Sequence, residues 1–464
     1  MMDLERLVAA LGAVEVVGRA PVAVRDLAYD ARAVIPGSLF FCVPGARADG
    51  HDFAPEAVER GAVALVVERP LALDVPQLVV VDARAAMAVV ADEFFGRPTE
   101  ELQVAGVTGT SGKTTTAFLL YAILAAAGRR PGLLGTVEAR VGGERRGVVR
   151  TTPEAIDLQR IFREMLDAGD RSCAMEASSH ASQLHRLDRV RFSALVFTNL
   201  SQDHLDFHGD MESYFDAKRR LFVDGRPPAA VNVGDEHGRR LARELPDALT
   251  FGFADDAEIG PHALDGVALK LRGRFNAENA LGALAAARLL GIGDDEIARG
   301  LESVRGVPGR FESVDEGQPF SVIVDYAHKP GALENVLRAA RGLARGRVIV
   351  VVGAGGDRDR GKRPEMGRLA SELADVAIVT TDNPRSEDPQ AIIDEIVAGV
   401  VGDVEVEPDR ARAIARAVEL ARDGDVVLIA GKGAEQGQQF ADRTIPFDDR
   451  ETAREALRTL GART

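Results

Sequence analysis

Residues 104–116 read Val104-Ala-Gly-Val-Thr-Gly-Thr-Ser-Gly-Lys-Thr-Thr-Thr116, and no other stretch narrows the fold as much. The apolar run over residues 102–107 predicts a buried strand, and the glycines predict a tight turn. The apolar segment over residues 113–127 predicts a helix closed by Gly128. In such a strand–turn–helix unit the glycines let backbone N–H groups approach a phosphate, and the helix N-terminus adds a favourable dipole. Lys113 would then reach the outer phosphates, and the Thr114 hydroxyl would ligate Mg²⁺. The match to G-x-x-x-x-G-K-[ST] departs in one place, because Val107 stands where the first glycine belongs. An ordinary glycine-rich turn is the rival reading, and the flanking strand and helix argue against it. The stretch predicts a nucleotide site.

A chain of 464 residues has room for about three domains. Its net charge of −15, from 57 basic and 72 acidic residues, argues against non-specific nucleic-acid binding. Cys42 and Cys173 sit within apolar runs without metal-ligand spacing, which predicts buried thiols in a reducing compartment. The N-terminus lacks a basic segment followed by an apolar core, and no apolar run approaches about 18 residues. A cytoplasmic protein without a signal peptide or membrane span is therefore expected.

Residues 1–98 predict a small α/β module with strands over 38–43, 62–67 and 78–81, closed by Phe94-Phe-Gly-Arg-Pro98. From 99 to 310 strands and helices alternate, which implies a largely parallel sheet covered by helices. One strand ends at Glu176 and another near Asn199. Ligand groups in such sheets collect beyond the carboxyl ends of strands, so Glu176 and the loop 199–206 should share a rim with the phosphate loop. After 311 the alternation restarts, with strands over 320–324, 348–352, 376–380 and 426–430. The expected fold is α/β in three domains (1–98, 99–310 and 311–464). The central one would carry a P-loop ATPase-like, mostly parallel sheet and the last a Rossmann-like doubly wound sheet.

Glu176, Asp203 and His204 are the candidates for handling metal and phosphate. Mg²⁺ prefers oxygen ligands and keeps several waters, so one hydroxyl and one carboxylate make a sufficient protein shell. A helix cap or salt-bridge partner is the plainer reading of a single glutamate there. Gly355-Gly-Asp-Arg358 and Asp382-Asn-Pro-Arg385 place arginines on loops beyond neighbouring strands, and a guanidinium fork suits carboxylate or phosphate. A charged surface turn is the rival for either loop alone. Periodicity does not separate Lys218 from Arg219 and Arg220, and by itself reads all three as solvated.

Taken together, Gly109-Thr-Ser-Gly-Lys-Thr-Thr115, Glu176-Ala-Ser-Ser-His180, Thr198-Asn-Leu-Ser-Gln-Asp-His204, Asn276-Ala-Glu-Asn279, Gly309-Arg-Phe-Glu312 and Asp325-Tyr-Ala-His328 closely resemble the Mur ligase family. These are ATP-dependent amide-forming enzymes that build the peptidoglycan stem peptide, and the resemblance spans essentially the whole chain. The family's phosphate loop shares the departure at Val107. Within the family, Thr151-Thr-Pro153, Gly355-Gly-Asp-Arg358, Asp382-Asn-Pro-Arg385 and Gly431-Lys-Gly-Ala-Glu435 resemble the branch that adds a diamino acid to UDP-N-acetylmuramoyl-L-alanyl-D-glutamate. Asp-Asn-Pro-Arg is that branch's signature for meso-diaminopimelate, whose extra carboxylate a guanidinium could bind. An L-lysine-adding ligase, a folylpolyglutamate-synthase-like enzyme and a nucleotide-dependent regulatory module are the alternatives. The uridine-binding module and Arg385 disfavour the first two, and the intact Lys113, Thr114, Glu176, His204 and Lys218 disfavour the third.

The resemblance implies a carboxylate attacking ATP to give an acyl phosphate, which the diaminopimelate amine then attacks. It assigns catalysis to Lys113, Glu176, His204 and Lys218. It assigns ATP to Gly109, Thr110, Ser111, Gly112, Lys113, Thr114, Thr115, Thr116, Asn276, Asn279, Arg310, Asp325 and His328. The UDP-muramoyl-dipeptide would lie against Tyr29, Ala31, Ala46, Arg47, Ala48, Thr151, Thr152, Ser178, Leu184 and Arg186. Diaminopimelate would lie against Arg358, Asp382, Asn383, Pro384, Arg385, Gly431 and Glu435. Two Mg²⁺ ions are implied, one on Thr114 and Glu176 and one near His204 and a carbamylated Lys218. ATP and small molecules are the expected partners of a monomer, with no nucleic acid. Ala31, Leu184 and Ala434 depart from the family's usual serine, glutamine and histidine.

Overall fold

The computed structural model describes residues 1–12, 14–18, 21–45 and 48–461. Its three large sheets draw their strands from residues 15–79, 103–251 and 312–430. In the first, Glu15–Val17, Gln77–Val79, Ala62–Val67, Ser38–Phe41 and Asp26–Ala28 follow in that order, parallel except for the antiparallel outer pair Glu15–Val17 and Gln77–Val79. The expected strand over 78–81 starts and stops earlier than its apolar letters suggest, because Val81 is fully exposed.

The central sheet has Gln103–Thr108 in its middle, parallel to Ser172–Glu176 on one side and Phe192–Phe197 on the other. A strand with neighbours on both edges and helices on both faces is a near-continuous apolar run, and residues 104–108 are buried. Pro131–Leu134, Ala229–Asn232 and Leu249–Phe251 extend the parallel array. The hairpin Ala139–Val141 and Glu144–Arg146 adds an antiparallel edge that the alternating pattern does not predict. Helices Lys113–Ala126, Arg274–Leu289 and Asp294–Ser303 cover one face through a shared core that includes Leu120, Ile123, Leu281, Leu284 and Leu301.

In the third sheet Ser321–Asp325, Val426–Ala430, Val348–Val352, Val376–Val379 and Glu405–Val406 run parallel in that order, with Glu312–Val314 antiparallel at the edge. The strand expected over 320–324 ends one residue later, so Asp325 is its last residue and faces the loop end. Among the described residues no helix is long and apolar enough to cross a membrane. Both cysteines are buried and unpaired, as their apolar surroundings predict.

Candidate functional site

The phosphate loop is folded by contacts from the next parallel strand. The Asn199 carbonyl accepts from Thr110 N–H at 2.9 Å, and Asn199 Oδ1 accepts from Ser111 N–H at 3.0 Å. Thr198 Oγ1 donates to Ser111 O at 2.7 Å. Two glycines are indispensable to this closeness. A Cβ on Gly109 (φ +147°) would lie 1.9 Å from Thr198 Oγ1, and one on Gly112 (φ +86°) would lie 2.3 Å from Asn279 Oδ1. Asn279 in turn donates to Asn276 Oδ1, so Asn276 acts behind it, buried at the base of the helix Arg274–Leu289.

Two lysines converge on one carbonyl of this loop. Lys113 Nζ donates to the carbonyl oxygens of Gly109 and Thr110, and Lys218 Nζ donates to Gly109 O, each at 2.9 Å. Burial pushes Lys113 down to about 8, although Glu176 nearby opposes the shift. Lys218 is 1% exposed, not solvated as its letters suggest, and lies over the Tyr214 ring. Burial first, then repulsion from Lys113 and Lys329, holds its amine well below the usual lysine range. Each lost kilocalorie of ammonium solvation here favours a neutral, nucleophilic amine.

These groups line a cavity of about 710 Å³ that also takes in Thr114, Thr115, Glu176, Ser178, His204, Asn279, Arg310, Asp325, His328 and Lys329. That volume suits a nucleotide together with part of a second ligand. Glu176 is held by Thr136, whose N–H and hydroxyl donate to its two oxygens at 2.7 and 3.1 Å. The Thr114 hydroxyl accepts from Arg310 Nη2 at 3.1 Å, and the guanidinium lies over the Tyr326 ring. Among the described residues no three His, Cys, Asp or Glu side chains gather as a metal cluster. One hydroxyl and one carboxylate on the rim of an anion cavity nevertheless fit Mg²⁺, which takes its remaining ligands from phosphate and water.

The third sheet enters the cavity through the loop after Ser321–Asp325. Asp325 accepts from Phe311 N–H at 2.7 Å, and burial raises it to about 6 in spite of Arg310 beside it. His328 is kept neutral by burial and by the neighbouring Lys329 and Lys362, and its Nδ1 faces Tyr326 O at 2.8 Å. Lys329 crosses to the central sheet and pairs with Asp203, which also holds His204 Nε2 at 2.7 Å. In the sequence Lys329 is an ordinary lysine before a proline, because its partner is 126 residues away.

On the opposite wall, Thr152 Oγ1 donates to Glu176 O at 2.8 Å and accepts from Ser178 N–H. Arg186 donates to Thr152 O and pairs with Glu154 at 2.7 Å. Thr151 lies between this cavity and a second of about 310 Å³ lined by Tyr29, Val141, Arg150 and Asp157. Tyr29 donates to Asp157 Oδ2 at 2.6 Å. Ala31, Ala48 and Leu184 line neither cavity, whereas Ala46 and Arg47 lie outside the described residues.

The two arginine loops meet, as their neighbouring strands predict. Arg385 Nη1 donates to Gly356 O at 2.6 Å, and Gly356 N–H donates to Asn383 O. Arg358 is exposed and lines the 710 Å³ cavity. Asn383 donates to Glu435 Oε2 at 2.8 Å, and the fully buried Lys432 joins both at 2.9 Å. Asp382 and Pro384 are buried supports, and Gly431 packs against Asp382.

Known proteins resemble this chain over most of its length. Residues 24–110 match the Mur ligase family catalytic domain, 107–287 the Mur ligase middle domain and 309–433 the Mur ligase glutamate ligase domain. A protein of Solibacter usitatus called UDP-N-acetylmuramoyl-L-alanyl-D-glutamate--2,6-diaminopimelate ligase is 47% identical, over 94% of each chain. One of the same name from Streptomyces coelicolor is 46% identical, over 94% of this chain and 92% of that one. A solved structure of that name superposes with a TM-score of 0.66 at 29% identity, covering 96% of both chains. MurF ligase from Thermotoga maritima in complex with ADP shares the fold, with a TM-score of 0.63 at 22% identity, over 95% of this chain and 99% of that one. With three domain matches in order and relatives this similar over nearly the full length, the chain belongs to the Mur ligase family.

Proposed function

We propose that this protein is an ATP-dependent, ADP-forming ligase that joins meso-diaminopimelate to the D-glutamate side-chain carboxylate of UDP-N-acetylmuramoyl-L-alanyl-D-glutamate, for peptidoglycan synthesis. The observation that carries the reading is one cavity holding the phosphate loop, the wall of Thr151, Thr152, Ser178 and Arg186, and Arg358 and His328 from the third sheet. Boundaries near 98 and 310 divide the uridine-binding, nucleotide-binding and amino-acid-binding parts.

In this reading Lys113 and the loop N–H groups hold the ATP phosphates, and Asn279 and Arg310 flank the nucleotide. Thr151, Thr152, Ser178 and Arg186 align the D-glutamate carboxylate with the γ-phosphate. Phosphoryl transfer needs alignment and charge neutralisation more than covalent help, which is what a cavity rich in lysine and arginine supplies. Thr114 and Glu176 would hold one Mg²⁺, whose chemistry is to neutralise charge on the β- and γ-phosphate oxygens. His204 would serve a second ion together with Lys218. An ammonium offers no lone pair, so Lys218 must be carbamylated for that task, and a depressed amine is the form that reacts with CO₂. Arg385 and Arg358 would pair with the distal carboxylate of diaminopimelate, with Asn383 and Glu435 against the same amino acid; L-lysine would put an ammonium there instead.

Phosphate release from ATP tests this directly. Release should require both the UDP-muramoyl-dipeptide and meso-diaminopimelate. Equal release without either one, or faster release with L-lysine, would refute it.

A further inference from the structure

The pair between Lys329 and Asp203 has no part in the scheme above. Lys329 precedes Pro330, the first residue of the helix Pro330–Leu343, so it belongs to the third sheet's half of the protein. Asp203 lies beyond the central strand Phe192–Phe197. Their side chains are 16% and 13% exposed, and Asp203 already has His204 as a second partner. A pair so removed from water adds little net stability, because desolvation offsets most of its Coulomb gain. Its place matters more. Lys329 lines the cavity with Lys113, Thr114 and Glu176, and its charge reaches both Lys113 and Lys218, lowering each. A cation left within reach of the phosphate loop, tied to a carboxylate that has another partner, is free to exchange that carboxylate for a more highly charged anion.

We propose that Lys329 is a catalytic residue of the phosphoryl-transfer half-reaction, leaving Asp203 to place its ammonium on the γ-phosphoryl oxygens. This rests on the ligase reading. An oxygen of the substrate carboxylate bonds to the γ-phosphorus while the bond from that phosphorus to the β–γ bridging oxygen breaks, and ADP leaves with the electron pair. No proton moves through Lys329; its ammonium neutralises charge on the group in flight. Because Lys329 arrives with the third sheet, transfer is fast only when that part of the protein is closed on the nucleotide.

The test is rapid-quench formation of the acyl phosphate, trapped with hydroxylamine, from ATP and the UDP-muramoyl-dipeptide without diamino acid. Wild-type protein that forms none would overturn the ligase reading and this one with it. With active wild type, Lys329→Met should slow trapping at least about 50-fold while KM for ATP changes less than about 3-fold, as loss of one transition-state charge partner demands. Lys329→Arg should restore most of the rate. Lys329→Gln serves if the methionine variant does not fold, as judged by melting. Trapping by Lys329→Met within about 3-fold of wild type would refute the role. So would a double variant with Asp203→Asn that is no slower than Asp203→Asn alone, since Lys329 would then act only by clasping Asp203.

Discussion

Replacing Lys113 with methionine should stabilise the nucleotide-free protein and at the same time remove most of its affinity for ATP. Burial lowers this lysine from 10.5 to about 8, so the folded protein holds its proton less tightly than the unfolded chain does. For a base with a lowered folded value, the penalty is full below about 8, shrinks as pH rises, and is gone above 10.5. The difference of roughly 2.5 pK units corresponds to about 3 kcal/mol at pH 7. The side chain remains partly open to the cavity, so this is an upper bound. Methionine keeps most of the volume but loses the hydrogen bonds to Gly109 O and Thr110 O, each worth about 1 kcal/mol. The net gain is about 1 kcal/mol at pH 7, turning to a loss at about pH 9, where the shrinking penalty falls below the two lost hydrogen bonds.

Melting of both proteins without nucleotide, from pH 7 to pH 10, reads the first half of this prediction. A rise of about 2–4 °C at pH 7 that fades with pH is expected for a domain of this size. Titration calorimetry reads the second half: ATP binding should weaken at least about 30-fold, the loss of a charge-assisted contact to phosphate. Wild-type protein should also take up a proton on binding ATP near pH 8.5, because phosphate restores the ammonium. A variant that melts below wild type at pH 7, or that binds ATP within about 3-fold of it, would refute the reasoning.

Three further outcomes follow from single residues. Arg385→Ala should raise KM for diaminopimelate about 10- to 100-fold and leave KM for ATP unchanged, because on the proposed reading it removes one charge-assisted partner of the amino acid; parallel losses would contradict that. Gly309→Ala should cost more than about 2 kcal/mol in melting and most of the turnover, since φ is +64° and a Cβ would lie 2.0 Å from Ala434 N. Asp325→Asn keeps the acceptor for Phe311 N–H but removes a carboxyl raised from 3.8 to about 6. The stability tied to that acid is present below 3.8 and lost as pH rises through about 6, so the variant should melt above wild type at pH 8 but not at pH 4.

What could be read from the letters follows from the period of the chain. Parallel strands buried on both faces are near-continuous apolar runs, so Gln103–Thr108, Ser172–Glu176, Val348–Val352 and Val426–Ala430 stand out. Ser172–Glu176 ends on its carboxylate and Phe192–Phe197 runs into Thr198 and Asn199, which is why Glu176 and Asn199 could be placed beside the phosphate loop. Side chains whose meaning depends on a distant partner could not be read. Lys218 looks like its solvated neighbours until Gly109 O is above it. Lys329 and Asp203, Lys432 under Asn383, and the fully buried pair Arg410 and Asp449 are ordinary charged letters in ordinary loops or helices. The antiparallel hairpin at 139–146 is too short and too polar to betray itself.

The central claim is a choice of amino acid, and a competition measures it most directly. Protein, ATP, Mg²⁺ and UDP-N-acetylmuramoyl-L-alanyl-D-glutamate are incubated with equal meso-diaminopimelate and L-lysine, and the product is weighed by mass spectrometry. The proposed pairing of Arg385 and Arg358 with a second carboxylate predicts the diaminopimelate adduct almost alone, one product per ADP formed. A lysine adduct in equal or greater amount, or ADP without any adduct, would contradict it.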